Sequence, residues 1–409
     1  MTPRGLTLLG LVALVAIGMA LWLAQDRSAQ RQAVSGELYP DLTQRLESLE
    51  QVQIDGSGAG VDVTLQRAEQ GWQVVERSGY QVDMARLRTL LRNLAEAELV
   101  EEKSAQAGNY AALGVADPDE ADSDEADSDE ADSDEAEANG ADSSEGGAGG
   151  VRVVLAGMDP PVDLIVGNQA TGRSGSYVRR SGEAQSWLVN RTFDVPREPG
   201  QWIDRDVLDI GADRIQSATV EVAEQRYEAA KSSRADTDFA VTGVLEGREL
   251  TSPGAANGLA TALVRLQADD VRRFRPSEEP EPTAAATFRT FDGLVLELQG
   301  YTIDDEQYLV ANARADAELA ARFAAPAAAA EASESAKGGE GEADRAADDT
   351  GSGPEDASTD ASETSADTGV ASEVERINDR VAGWAYAIPD YKYDAVFRPL
   401  EELLAPRDE

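Results

Sequence analysis

Apolar and polar residues alternate in short runs along most of the chain, broken by Gly, Pro and Asn. Gln51 to Ile54, Val61 to Arg67 and Trp72 to Glu76 follow the two-residue period of half-buried strands, and Gly56, Gly58 and Gly60 turn the chain between the first two. The period then changes. Leu87, Leu90, Leu91 and Leu94 recur at helical spacing behind Asp83, a residue suited to capping, which predicts one amphipathic helix ending near Leu99. Strand patterning resumes at Val151 to Leu155, Val162 to Val166, Ser176 to Arg179 and Ser186 to Val189, and this half closes near Trp202.

The second half repeats that order. Ser217 to Val222, Arg226 to Ala229 and Asp238 to Thr242 read as strands. A helix is expected from about Pro253 to Leu266, with Leu259, Leu263 and Leu266 as its stripe, followed by strands at Thr287 to Phe291, Leu294 to Leu298 and Gln307 to Ala311. Leu296 to Ala313 resembles Val162 to Arg179, so the halves read as a duplication. Near the C-terminus, Glu373 to Val381 predicts a short helix and Gly383 to Ile388 a strand, after which Asp390 caps a last helix carrying Val396, Leu400, Leu403 and Leu404. Trp384, Tyr386, Tyr391, Tyr393 and Phe397 are the candidate aromatics here: they either pack where the terminal helix closes the sheet or form a partner-binding patch.

Three stretches do not fit a packed domain. Gly5 to Ala24 runs 20 residues without a charge, about the length a helix needs to cross a hydrocarbon core. It predicts an uncleaved anchor in contact with membrane lipid, with Leu6, Leu14, Ile17 and Trp22 among its apolar positions. Trp22 stands where a signal-peptide cleavage site requires a small residue. The flanking charges are nearly balanced, and the expected orientation places the bulk of the chain outside an inner (cytoplasmic) membrane, in the periplasm. Asp117 to Gly150 holds 15 acidic and no basic residues, with tandem Asp-Glu-Ala-Asp-Ser pentads from Asp119, Asp124 and Asp129; Pro326 to Ser372 holds 12 acidic and 2 basic ones. Both predict disordered linkers, because like charges repel and few apolar groups are present to offset ordering entropy. The pentads lack the spacing and central Gly of a calcium loop.

The fold class expected is α+β: an N-terminal transmembrane helix followed by two similar α+β domains with mainly antiparallel sheets, interrupted by the two acidic linkers. The domains expected are the anchor and stalk at 1–34, a first domain at 35–210 with its insertion at 117–150, and a second at 211–409 with its insertion at 326–372.

Composition narrows the chemistry. The 409 residues contain 36 Lys and Arg against 78 Asp and Glu, a net −42, which excludes a phosphate-backbone partner: no nucleic acid is expected. With no His and no Cys, imidazole bases, thiol nucleophiles, Cys/His zinc sites and disulfides are excluded by their atoms. Gly56 to Gly60 lacks the lysine of a phosphate loop, and Gly172-Arg173-Ser174-Gly175 is not a nucleophile elbow. Carboxylate pairs such as Asp204 with Asp206, or Asp304 with Asp305, keep a glycosidase-like alternative open. No catalytic, cofactor-binding or metal-binding residue is assigned.

Several tracts carry a family resemblance. Gly71-Trp72-Gln73-Val74, Asp83 opening a leucine-rich helix, Tyr110-Ala111-Ala112-Leu113-Gly114-Val115, Trp202-Ile203-Asp204-Arg205-Asp206-Val207-Leu208 and Gly383-Trp384-Ala385-Tyr386-Ala387-Ile388-Pro389-Asp390-Tyr391-Lys392 together resemble the DUF4340 family. In that family the Leu113–Gly114 tract is closely followed by a proline and a strand, whereas the acidic stretch intervenes here. The resemblance implies a membrane-anchored α+β protein, often encoded beside gliding-type ABC transporter components, and it implies no catalytic residue. The function expected is therefore that of a non-enzymatic, single-pass accessory or adaptor subunit of an ABC-type transport system in the cell envelope, with a permease or other envelope protein as partner. The alternative is an envelope hydrolase or carbohydrate-binding protein using surface carboxylates.

Overall fold

The computed structural model describes residues 36–56, 58–118, 149–244, 246–324 and 360–406. The expected anchor, with Leu6, Leu14, Ile17 and Trp22, lies outside the described residues, as does most of both acidic tracts. Among the described residues no helix is long and apolar enough to cross a membrane. The chain divides into two compact units between Asp204 and Arg205.

The first unit carries helix α1 (Leu42–Arg45), strands β1 (Gln51–Asp55), β2 (Val63–Ala68), β3 (Gly71–Val74) and β4 (Tyr80–Gln81), helix α2 (Met84–Ala95), strand β5 (Leu99–Glu102), helix α3 (Tyr110–Leu113), and strands β6 (Val151–Ala156), β7 (Val162–Gln169), β8 (Ser176–Arg180) and β9 (Ser186–Val189). They form one nine-stranded sheet in the order β4-β3-β2-β1-β6-β7-β8-β9-β5. Register places Val52 opposite Leu65 and Leu155, Ile54 opposite Val63 and Val153, and Val153 opposite Leu164. These side chains are buried, so the period-two pattern has put one face of the sheet in the core. Leu87, Leu90 and Leu94 of α2 are buried with them.

The second unit carries β10 (Asp206–Leu208), β11 (Ile215–Val222), β12 (Gln225–Ala230), β13 (Ala240–Thr242), α4 (Asn257–Thr261), β14 (Leu266–Gln267), β15 (Asp270–Arg273), β16 (Ala284–Thr290), β17 (Leu294–Ile303) and β18 (Glu306–Ala315). Helix α5 (317–324) follows, then α6 (Asp360–Val381), β19 (Trp384–Ala387), α7 (Asp390–Val396) and α8 (Leu400–Leu403). The main sheet is ordered β13-β12-β11-β16-β17-β18-β19-β15, and β10 pairs separately with β14. Its buried face holds Phe288 opposite Ala218 and Leu296, and Leu309 opposite Gly300 and Tyr386.

Apart from β4, the two main sheets have the same strand order, element for element. The joint between inner and edge strand matches to the residue: Lys103 N–H donates to the Ser186 carbonyl at 2.9 Å, and Phe274 N–H donates to the Gly383 carbonyl at 2.9 Å. Trp187, opposite Glu102, is thereby equivalent to Trp384, opposite Arg273. The acidic stretches enter at different joints, between β5 and β6 in the first unit and between β18 and β19 in the second.

Four expectations require correction. The first helix ends at Ala95, and Leu99 opens strand β5 and pairs with Val189. The helix expected from Pro253 to Leu266 is only Asn257–Thr261; Arg265 takes a left-handed φ of 45°, which a helix does not tolerate, and Leu266 pairs with Leu208 in β14. The last helix is two, because Pro399 has no amide to continue the ladder, and its N-cap is Pro389 rather than Asp390. Finally, the second acidic stretch is not irregular throughout: α6 starts at Asp360. That helix is fixed downstream, where Val370 and Val381 are buried and both amide atoms of Asn378 bond the backbone of Ala313. Propagation back from a fixed nucleus adds a hydrogen bond per residue without a second nucleation cost.

Candidate functional site

A cleft among the described residues lies in the first unit, between α2 and the loop after β9. It encloses about 460 Å³. Its lining has an apolar floor, Leu90 and Phe193, and a polar rim. Each rim group has a local cause. Asp83 sits in extended backbone before α2, and its Oδ1 accepts the amides of Ala85 and Arg86 at 2.8 and 3.0 Å, satisfying two N–H groups that a helix start leaves open. Arg86, a turn into the helix, pairs with Asp194 at 2.9 Å and lies over the ring of the buried Trp202. Thr89 Oγ1 donates back to the Ala85 carbonyl, and Asn93 Nδ2 donates to the Thr192 carbonyl at 3.1 Å. The polar rim is thus committed to tying a helix to a loop, and its charges are mixed.

Elsewhere the ionic groups do similar work. Arg179, almost fully buried, pairs with Asp117, donates from Nε to the Val115 carbonyl and stacks on Tyr110 at 4.5 Å, locking the segment that precedes the first acidic stretch. Arg214 bridges Asp292 and Glu373, and hydrogen bonding to Glu373 holds its guanidinium proton above the ordinary arginine value. Glu101 and Asp236 are displaced in titration, and both go down. Glu101 is lowered by its hydrogen bond from Lys103, and Asp236 by backbone and side-chain donors of Ser233 and Ser232. A general acid requires displacement upward. Among the described residues no group of three or more His, Cys, Asp or Glu is placed to hold a metal ion.

The five C-terminal aromatics separate. Trp384, Tyr386, Tyr393 and Phe397 are buried in the second unit, whereas Tyr391 is 69% exposed. Tyr386 Oη donates to the Arg380 carbonyl at 3.0 Å, and the rings of Tyr393 and Phe397 lie 4.8 Å apart against Gly300, where any Cβ would collide with the Tyr393 hydroxyl. Trp384 carries the Arg273 guanidinium 3.9 Å above its ring. Asp304 and Asp305, one of the carboxylate pairs, form the tip of the β17–β18 hairpin with φ of 53° and 68°. Gly172 and Gly175 likewise lie in the β7–β8 turn. In the sequence the helix side of the cleft is marked by Asp83 and Leu90, whereas its loop side, Thr192 to Asp194, follows no periodic pattern.

A family model described as a domain of unknown function (DUF4340) matches residues 72–287, just over half of the chain. No curated protein and no solved structure matches.

Proposed function

The chain belongs to the DUF4340 family, and from that premise we propose that it is a non-enzymatic, single-pass accessory subunit of the cell envelope. In this reading the run Gly5 to Ala24 anchors it in the inner membrane. The two sheet units stand on the periplasmic side and bind a component of an ABC-type transport system of the gliding type. The observation that carries the reading is the chemistry of the cleft: every charged rim group already has a partner within the fold, so the site is built as a brace rather than as a reacting centre.

The test is membrane fractionation of the full chain combined with crosslinking in intact cells from a photoreactive residue at Tyr391. The result expected is sedimentation with membranes, loss of that sedimentation when residues 1–35 are removed, and a crosslink to a permease subunit. A chain that stays soluble, or one that hydrolyses envelope glycans with the activity lost in Asp304→Asn or Asp206→Asn, would overturn the proposal.

A further inference from the structure

The duplication places two open strand edges at equivalent positions. In the first unit β5 ends the sheet beyond β9, and in the second β15 ends it beyond β19. Residues 36–38 lie against the start of the β5 edge, where Leu38 N–H reaches the Ala97 carbonyl and Leu99 N–H the Gly36 carbonyl. Among the described residues no strand pairs with the outer side of Val100 to Glu102 or of Val271 to Arg273, and on β15 the Val271 N–H donates to the Asp270 carboxylate at 2.8 Å. Because Lys103 N–H and Phe274 N–H both turn inward, to Ser186 and Gly383, the backbone groups of the residue before each turn outward. Those two residues are Glu102 and Arg273.

Their charges are opposite. The edge of β5 ends in Glu101-Glu102 and that of β15 in Arg272-Arg273. Within each pair the first residue is engaged. Glu101 is held by Lys103 and Arg173, and Arg272 by Glu279 and the Tyr308 ring. The second is free: among the described residues neither Glu102 nor Arg273 has an ion-pair partner, both are exposed, and Arg273 only stacks on Trp384. Val100, beside Glu101 and Glu102, is one of few large apolar side chains left exposed among the described residues. An open edge is a template for another strand, and proteins ordinarily blunt it. Here like charge prevents β5 from pairing with β5 and β15 with β15, while opposite charge favours β5 with β15.

We propose that two copies of this chain associate by antiparallel pairing of β5 of one copy with β15 of the other, with Glu102 opposite Arg273. The contact goes beyond the accessory role proposed above and does not depend on it. Opposed residues with outward backbone groups have Cα atoms about 5.5 Å apart, inside the range of about 4.4–6.8 Å that a disulfide spans. The chain has no cysteine of its own, so each introduced thiol is unique.

The experiment uses the full chain in detergent solution, as Glu102→Cys, as Arg273→Cys, and as the double variant. An equimolar mixture of the single variants, oxidised, is expected to give a covalent dimer of about twice the single-chain mass, and neither variant alone is expected to do so. No dimer in the mixture, equal yields from a single variant alone, or a bond formed within one chain of the double variant would each overturn the proposal. Charge reversal supplies a second measurement. Glu102→Arg and Arg273→Glu are each expected to be monomeric by light scattering and to regain dimer mass when mixed, since each then offers the edge the other lacks. Association that survives either reversal alone overturns the pairing as well.

Discussion

At the scale of single residues, the most informative positions are those where the backbone adopts a conformation its side chain resists. The β11–β12 hairpin turns on Ala223 and Glu224, with φ of 50° and 63°, and the β17–β18 hairpin on Asp304 and Asp305. Both central residues in the left-handed region make the two-residue turn whose twist matches antiparallel strands, and it favours Asn-Gly. Ala223 and Glu224 both carry a Cβ, unlike glycine, and neither has the short polar side chain of Asn or Asp that hydrogen-bonds locally to relieve this conformation, which costs roughly 1–2 kcal/mol per residue. The substitution pair Ala223→Asn with Glu224→Gly is therefore expected to stabilise the second unit by about 1 kcal/mol, raising its melting midpoint by about 2–4 °C. Calorimetry checks this, and an unchanged or lowered midpoint would show that other contacts impose the turn. Trp384 acts in the opposite direction. It is buried and carries Arg273, so Trp384→Ala is expected to cost about 3–5 kcal/mol in the second unit and to leave the first unit's transition in place.

At the scale of elements, the protection of β18 stands out. Strand β19 pairs with β18 only at Tyr308 and Leu309, so the rest of that edge lies open toward α6. Asn378 closes it: Oδ1 accepts the Ala313 N–H at 2.9 Å and Nδ2 donates to the Ala313 carbonyl at 2.8 Å, the two bonds a neighbouring strand would make. Asn378→Ala removes both and leaves peptide groups without partners, which costs about 1–3 kcal/mol. The variant is expected to lose amide-exchange protection at Ala313 before the rest of the sheet. Exchange unchanged at Ala313 would show that α6 is held by Val370, Val381 and the Arg214–Glu373 pair alone. The first insertion is the converse case. Its stem is closed, with Ala116 bridged to Gly149 and Gly150 N–H donating to the Ala116 carbonyl at 3.0 Å. Loop-closure entropy changes slowly with length, so excising Asp119 to Asp142 is expected to shift stability by no more than about 1 kcal/mol, read from denaturant midpoints.

The same elements show what a sequence can and cannot disclose. Strands that face a core, such as β6, β7 and β9, carry enough Val, Leu and Ile for their period to be visible, and Asp83 announces α2 because a cap requires a particular atom at a particular place. Edge strands escape notice. In β15 Val271 is the single apolar residue of four, since an edge needs little apolar burial to hold one ladder of hydrogen bonds. The candidate cleft and the charged edges escaped for the same reason: Thr192 to Asp194, Glu102 and Arg273 acquire meaning only from what the sheet places beside them.

At the scale of the molecule, two units of like topology are expected to differ in their response to alkali. There is no His to titrate near neutrality. Among the described residues, burial chiefly raises the phenols of Tyr39 in the first unit and of Tyr227, Tyr301, Tyr308 and Tyr393 in the second above their ordinary value of 10, with Tyr308 pushed up to about 12. A raised phenol keeps its proton in the folded state where the unfolded chain has released it. The unfolded state then binds fewer protons, so stability is fully present below pH 10 and falls as pH rises through the folded values. Each such group removes at most about 1.4 kcal/mol per pH unit, less where water reaches it, so about 2–3 kcal/mol is expected to be lost from the second unit at pH 11. The first unit, where the raised phenol is that of Tyr39, is expected to lose less than half as much. Scanning calorimetry at pH 8 and pH 11 separates the two: the transition depressed by Trp384→Ala is the one expected to move further down with alkali. Equal shifts of both transitions would mean that the four phenols of the second unit ionise without unfolding it.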